Sequence, residues 1–270
     1  MLKDKVVLIT GGTSGIGKAL AVRLGQEKCK IIITGRSLET LMQTELELMQ
    51  QNIAISAVVA DVCSEADCSI MIKHAYKTYG KLDIVVCNAG ISMRALFKDA
   101  DTEVLRKVMD TNFWGTVHTC KYALPYLIES QGMIVGISSI AGYRGLPGRS
   151  GYSASKFAMQ GFLESLRTEL LQSGVHVLVA CPGFTSTNIR NTALNALGSA
   201  QQESPLDEAK IMSAEAVAAH IIHAIKNKRR DLVLTTQGKL TVWLNRFFPK
   251  WMDKMVYKHF ASEKNPLLTL

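Results

Sequence analysis

The chain has 270 residues, 47% of them hydrophobic and 20% charged, enough apolar material to bury a sizeable core. Its six cysteines (Cys29, Cys63, Cys68, Cys87, Cys120 and Cys181) form no Cys-x-x-Cys and no cluster with histidines, so neither a metal site nor a disulfide framework is signalled, and they read as thiols of a reducing compartment. The net charge of +8 is uneven: residues 1–225 hold 21 Lys/Arg against 20 Asp/Glu (+1) and residues 226–270 hold 10 against 3 (+7), which leaves a nucleic-acid-binding body without its basic surface.

In chain order, strand-like apolar runs alternate with helical stretches. The first strand, Lys5 to Thr10, begins too early to leave room for a signal peptide or an N-terminal anchor, and no apolar run reaches the roughly 18 residues that span a bilayer. Thr10-Gly11-Gly12-Thr13-Ser14-Gly15-Ile16-Gly17 follows it and opens a helix. Such glycines permit a tight turn and close backbone approach to a pyrophosphate, which a helix N-terminus favours; a plain strand-to-helix turn is the bland alternative.

Lys30 to Thr34 is the second strand and runs into Gly35-Arg36-Ser37. NAD-binding folds usually place a carboxylate there for the ribose hydroxyls. Arg36 suits a 2′-phosphate instead and selects NADP(H), against the alternative of a solvated loop arginine. Ala54 to Ala60, Leu82 to Asn88, Met133 to Ser138, Val175 to Cys181 and Asp231 to Thr235 complete the predicted strands. Leu38 to Gln51, Glu65 to Tyr79, Glu103 to Ser130 and Tyr152 to Ser173 are long enough for crossover helices. The alternation predicts an α/β fold: a single-domain, Rossmann-type, doubly wound parallel seven-stranded sheet with helices on both faces and ligands beyond the C-terminal strand ends.

Tyr152-Ser153-Ala154-Ser155-Lys156, with Ser139 upstream, carries the chemistry. Positions i and i+4 share a helix face, so the Lys156 charge is expected to lower the Tyr152 phenol from about 10 toward working pH. A phenol so tuned exchanges a proton with an alkoxide or alcohol while Ser139 steadies the same oxygen. Taken alone, the pair would be an ordinary helix-surface contact. Ser138 competes with Ser139, since neighbours on an extended segment point to opposite sides. Asn112, inside the apolar pattern Val108 to Trp114, could simply bend or cap a helix.

The glycine loop, Asp61-Val62, Asn88-Ala89-Gly90, Asn112, Ser139, Tyr152, Lys156 and Pro182-Gly183 stand in an order and spacing that resemble the short-chain dehydrogenase/reductase family over about residues 4 to 235. The resemblance implies that Gly11, Thr13, Ser14, Gly15, Ile16 and Gly17 hold the pyrophosphate, that Asp61 and Val62 flank the adenine, and that Asn88, Ala89 and Gly90 line the cofactor cleft. It further implies that Pro182 and Gly183 border the nicotinamide, that Thr187 meets its carboxamide, that Lys156 holds its ribose, and that Asn112 anchors a water linking the lysine to solvent. Members of the family usually pair through the long helices, so a homodimer or homotetramer is expected.

Substrate choice is expected from a lid between Thr185 and Met212, with Thr192 to Gly198, Ile91, Met93, Phe97, Tyr143 and Leu146 as the wall of a hydrophobic pocket or as plain core. No arginine pair stands out as demanding a charged substrate. Residues 1–238 read as the dinucleotide-binding and catalytic domain and 239–270 as a basic amphipathic extension. In that extension Leu240, Trp243, Leu244, Phe247, Phe248, Trp251, Met255 and Phe260 recur among Lys239, Arg246, Lys250, Lys254 and Lys258, split by Pro249. The stripe suits peripheral membrane contact through 239–260, a partner subunit or closure over the substrate. Tyr152 to Ala158 and the tail resemble the branch with 11β-hydroxysteroid dehydrogenase and 3-ketosphinganine reductase, although the N-terminal membrane helix of its anchored members is lacking.

The expected function is therefore an NADP(H)-dependent oxidoreductase, NADPH being preferred over NADH. It would interconvert a carbonyl and an alcohol on a small hydrophobic or lipid-like molecule, at a cytoplasmic location, with no metal and no nucleic acid. The rival is a dinucleotide-binding sensor or scaffold without turnover.

Overall fold

Val6, Val7, Leu8, Ile9 and Thr10 are all buried, as in a central strand covered on both faces. They form β1 (Val6–Thr10) of a computed structural model that describes residues 2–202, 211–263 and 265–268. After β1 come α1 (Gly15–Gln26), β2 (Lys30–Gly35), α2 (Leu38–Gln50), β3 (Ile55–Val59), α3 (Glu65–Tyr79) and β4 (Ile84–Cys87). Then follow α4 (Thr102–Met109), a π-helical turn (Asp110–Trp114), α5 (Gly115–Ser130), β5 (Met133–Ile137), a 3₁₀ turn (Ile140–Gly142), α6 (Ser150–Glu169) and β6 (His176–Cys181). The chain closes with β7 (Thr185–Ser186), β8 (Met212–Ser213), α7 (Ala214–Lys226), β9 (Asp231–Val233), α8 (Thr236–Phe247) and α9 (Pro249–Ala261).

Among the described residues the main sheet has seven parallel strands in the order β3-β2-β1-β4-β5-β6-β9, the doubly wound fold expected from the sequence. Register fixes its centre: Val7 of β1 pairs with Ile31 of β2 on one side and Ile84 of β4 on the other. One face is packed by Leu20 and Leu24 of α1, Leu41 and Leu48 of α2, and Val217 and Ile221 of α7. The other takes Met71 and Ile72 of α3, Ala123 and Leu127 of α5, and Met159 and Leu163 of α6. Helix starts are set locally, since the Ser37, Ser64 and Ser213 hydroxyls each accept a first-turn N–H of α2, α3 and α7.

Glu103 to Ser130 is helical throughout, with a π turn at Asp110–Trp114 that sets Asn112 inward. The tail forms two short helices that meet at Pro249, as expected, and α8 and α9 fold back so that Met252, Val256 and Phe260 pack with Leu146 and Phe184. Part of the expected lid, residues 203–210, lies outside the described residues. The rest is held at its base by β7 pairing with β8 and by bridges from Leu194 to Met93 and Ala200.

Strand order reverses between β1 and β4, and a ligand cleft belongs beyond that point in such sheets. Asn88, just past β4, spans the gap there: its side-chain amide donates to the Thr10 carbonyl at 2.9 Å and the Gly11 carbonyl at 3.0 Å. The Thr10 hydroxyl accepts from the backbone N–H of Asn88 and of Ala89, each at 3.0 Å.

Candidate active site

A cavity of about 870 Å³ opens over that reversal. Gly11, Thr13, Ser14, Gly15 and Ile16 line it at the start of α1, with Gly11 and Gly15 at φ +63° and +50°, conformations that favour glycine. A Cβ on Gly15 would stand 3.2 Å from Thr187, and one on Gly11 would stand 3.1 Å from the Ala89 Cα. Gly17 does not line the cavity; it is the position where α1 packs on Gly11 and Asn88. Ser14 makes no side-chain hydrogen bond to the helix it precedes, so the first-turn N–H groups of α1 keep their capacity for an anion. These residues fit a dinucleotide pyrophosphate.

Arg36 and Asp61-Val62 line the cavity at the ends of β2 and β3, and Asn88, Ala89 and Gly90 line it after β4. Among the described residues the exposed Arg36 guanidinium has no ion-pair or hydrogen-bond partner, and Ser37 beside it is occupied with capping α2. Pro182, Gly183 and Thr187 line the far wall.

Ser139, Tyr152 and Lys156 meet in the middle of the cavity. The two serines divide as alternation along an extended segment predicts. Ser138 is buried and takes the Gln160 amide at 2.8 Å, whereas Ser139 is only partly buried, lines the cavity with Tyr152 and accepts the Ala141 N–H at 3.2 Å. Burial pushes the Tyr152 phenol above its ordinary value, opposed by the Ser139 hydroxyl and the positive charges of Arg149 and Arg190. The expected lowering by Lys156 is not what the geometry gives. Its Nζ sits 5.8 Å from the Tyr152 ring centroid and donates instead to the Ile137 carbonyl at 2.8 Å. Burial brings the Lys156 ammonium down to about 8, with the Cys181 and Cys87 thiols pulling the other way.

Asn112 lies behind this group, fully buried. Its side chain exchanges hydrogen bonds with the Ile91 backbone, at 2.8 and 2.9 Å, and donates to the Ser155 hydroxyl at 2.8 Å. It thus ties the segment after β4 to α6 one residue before Lys156. Asn112 sits in the π turn of a continuous helix and is aimed at the site.

On the substrate side, Ile91, Leu146 and Thr192 line the cavity as expected. Met93 is buried in a satellite core with Leu194, Phe97 is 69% exposed, and Tyr143 lies against Cys181, so these three are no part of the wall. The opposite wall comes from α8 and α9 through Thr241, Met252, Met255, Val256, His259 and Phe260, the closure over the substrate that was one of three expected placements of the tail, but sequence reasoning missed Thr241, Met252, Val256 and His259 in it. Met252, Val256 and Phe260 recur every fourth residue, a spacing that could have marked one inward face. Also missed were Arg149 and Arg190, both lining the cavity, the former three residues before Tyr152.

Arg149 is held by Glu263, which accepts from it at 3.1 Å and from Arg94 at 3.5 Å, all three side chains being buried. The Arg149 guanidinium also lies 4.8 Å from the Phe260 ring centroid. All six cysteines are free thiols, and no metal-binding group of His, Cys, Asp or Glu occurs among the described residues. No helix among them is long and apolar enough to cross a membrane.

The arrangement pairs a proton-bearing phenol with a second hydroxyl and a buried ammonium, next to a glycine turn built for a dinucleotide. Comparison with known proteins agrees. A profile described as short chain dehydrogenase matches residues 5–197. Dehydrogenase/reductase SDR family member 7B of Mus musculus is 35% identical over 239 residues, covering 87% of this chain and 74% of the relative. The uncharacterized oxidoreductase YxnA of Bacillus subtilis is 31% identical, covering 98% and 76%. In fold, the chain is similar to a short chain dehydrogenase/reductase from Burkholderia phymatum in complex with NAD, with a TM-score of 0.83 at 22% identity over 93% of this chain and 95% of that one. It is also similar to an alcohol dehydrogenase from Thermococcus sibiricus complexed with 5-hydroxy-NADP, with a TM-score of 0.75 at 23% identity over 85% and 94%.

Proposed function

The chain belongs to the short-chain dehydrogenase/reductase family, and from that membership we propose an NADP(H)-dependent oxidoreductase that interconverts a carbonyl and an alcohol on a small hydrophobic or lipid-like substrate. The observation that carries the reading is the meeting of Ser139, Tyr152 and the buried Lys156 in one cleft that begins at the glycine turn.

A nicotinamide dinucleotide bound there would supply or accept the hydride. Gly11, Thr13, Ser14, Gly15, Ile16 and Gly17 shape the turn that receives its pyrophosphate. Asp61 and Val62 border the adenine, Asn88, Ala89 and Gly90 the central cleft, and Pro182, Gly183 and Thr187 the nicotinamide end. Arg36, exposed at the end of β2, inclines the site to a 2′-phosphate and so to NADPH over NADH.

During reduction Tyr152 delivers its phenolic proton to the substrate oxygen, and Ser139 donates a hydrogen bond to the same atom. Lys156, beside the phenol, would hold the nicotinamide ribose. Asn112 positions Lys156 through Ser155 and Ile91, and so supports the path by which the proton is replaced. The mostly apolar wall of Ile91, Leu146, Met252, Val256 and Phe260 favours a hydrophobic substrate.

We assign cofactor binding and chemistry to residues 1–238 and closure of the substrate side to 239–270. Trp114, Ile128 and Phe157 are exposed on the π turn, α5 and α6, which supports pairing of subunits through those helices. The free thiols suit a reducing, cytoplasmic location.

The test follows NADPH oxidation with long-chain 3-ketones, steroids and small aromatic aldehydes side by side. Turnover of at least one class is expected. NADPH binding without turnover across the panel would favour a redox sensor or scaffold.

A further inference from the structure

The two C-terminal helices spend only part of their apolar surface on the body of the protein. Met252, Val256 and Phe260 of α9 face inward and are buried. Seven other large side chains of the segment are about half exposed: Leu240 52%, Trp243 55%, Phe247 57%, Phe248 52%, Trp251 48%, Met255 46% and Tyr257 44%. They are not scattered singly. Leu240, Trp243 and Phe247 share one face of α8 by spacing, and the Trp243 ring lies 5.3 Å from Phe247 and 6.2 Å from Phe248. Pro249 starts α9 at this corner and brings Trp251 in its first turn. The result is an apolar ridge along α8 and around the corner, of a kind that marks an interaction surface.

Lys239, Arg246, Lys250, Lys254 and Lys258 are all exposed along the same two helices. Asp253 is the one carboxylate within them, and Arg144 holds it at 2.6 Å. The ridge is thus aromatic at its crest and strongly basic at its flanks.

We infer that this ridge docks on an anionic lipid bilayer, lying in its interface. Aromatic rings at the headgroup level with lysine and arginine toward the phosphates are the composition an interfacial helix requires. Spanning is excluded for these two helices, since 12 and 13 residues reach only about 18 to 20 Å at the α-helical rise, against a hydrocarbon core of about 30 Å. A second copy of the chain fits the ridge poorly. A two-fold contact would set the same basic flanks against each other with one already engaged carboxylate per copy to offset them. The placement also has a consequence for the site. Thr241, Met255 and His259 line the cavity, and Met255 is 46% exposed, so the cavity wall reaches the surface on the same two helices that carry the ridge.

The test is co-sedimentation of the full chain with two sets of vesicles, phosphatidylcholine alone and phosphatidylcholine with a quarter phosphatidylserine. Binding is expected to the second set and to fall with salt. The double variants Trp243→Ser/Phe247→Ser and Lys250→Glu/Lys254→Glu should each lose about tenfold or more in bound fraction, as both the apolar and the ionic component are needed. None of the four residues lines the cavity, so turnover of a soluble ketone and the circular dichroism spectrum should stay at wild-type values. Equal sedimentation of wild type and variants would overturn the proposal. So would wild-type protein that ignores both vesicle sets, or variants whose only change in light scattering is a shift from dimer to monomer.

Discussion

Lys156 gives its ammonium hydrogen bond to the Ile137 carbonyl at 2.8 Å, at the end of β5, and stands there as a buried charge whose pKa has come down to about 8. An unfolded chain keeps that lysine protonated up to its ordinary value of 10.5, so between the two values the unfolded state binds more protons. The cost to folding is full below pH 8 and fades as pH rises toward 10.5. At pH 7 it amounts to roughly 3 kcal/mol. Lys156→Met is therefore expected to unfold at higher urea than wild type at pH 7 while losing turnover, with the two stabilities converging toward pH 10. A variant less stable than wild type at pH 7 would contradict the account.

Burial pushes the Tyr152 phenol above its ordinary value, with the Ser139 hydroxyl and the Arg149 and Arg190 charges only opposing, so the phenol is protonated throughout the neutral range. Reduction needs that proton and oxidation needs it gone. The kcat for carbonyl reduction is expected to be flat from pH 6 to 8, whereas alcohol oxidation should climb with pH through 10 without a plateau below it. Tyr152→Phe should lower kcat by about a thousandfold or more and leave the Kd for NADPH within about twofold. Stopped-flow turnover and fluorescence titration of NADPH separate the two effects.

Much of this arrangement was legible before any coordinates. Strands such as Val6–Thr10 are buried on both faces and announce themselves as unbroken apolar runs, and the chemical motifs fall at their carboxyl ends because the fold puts ligands there. Alternation along an extended segment put Ser138 and Ser139 on opposite sides, and the family resemblance, by its spacing to Tyr152, selected Ser139; Ser138 is indeed turned to Gln160. What escaped was whatever depends on long-range packing. A lysine four residues from a tyrosine shares its helix face, but burial and the Ile137 carbonyl, nineteen positions back, decide where its charge goes. Which side of α9 forms the wall, and the Glu263 contacts, escaped for the same reason, because nothing local in the tail tells which side of an amphipathic helix will meet a cavity.

Arg36 is exposed at the lip of the cleft and has no protein partner among the described residues. A 2′-phosphate would give it a charge-assisted hydrogen bond that an unphosphorylated ribose does not. Arg36→Ala is expected to raise KM for NADPH about tenfold or more with KM for NADH little changed. Steady-state kinetics with both cofactors decide the matter, and a wild-type preference for NADH would remove the assignment.

Glu263 joins two buried arginines from separate parts of the body, Arg94 after β4 and Arg149 at the start of α6, and so fastens the end of the tail over the cavity. Removing one partner of a buried ion pair leaves a charge with nothing to offset its desolvation, which costs about 3 to 5 kcal/mol. Glu263→Ala is expected to lose stability of that order in urea melts, and Phe260, packed against the Arg149 guanidinium, should lose its seat with it. Because Phe260, Val256 and Met252 wall the substrate side while the glycine turn lies across the cleft, substrate KM should rise about tenfold with KM for NADPH near wild type. A triple replacement of Arg94, Arg149 and Glu263 by methionine separates charge from packing: it should recover much of the stability, as apolar substitutes for buried ion pairs often do, without restoring KM. Equal loss of affinity for substrate and NADPH in Glu263→Ala would instead make the contact a general strut of the fold.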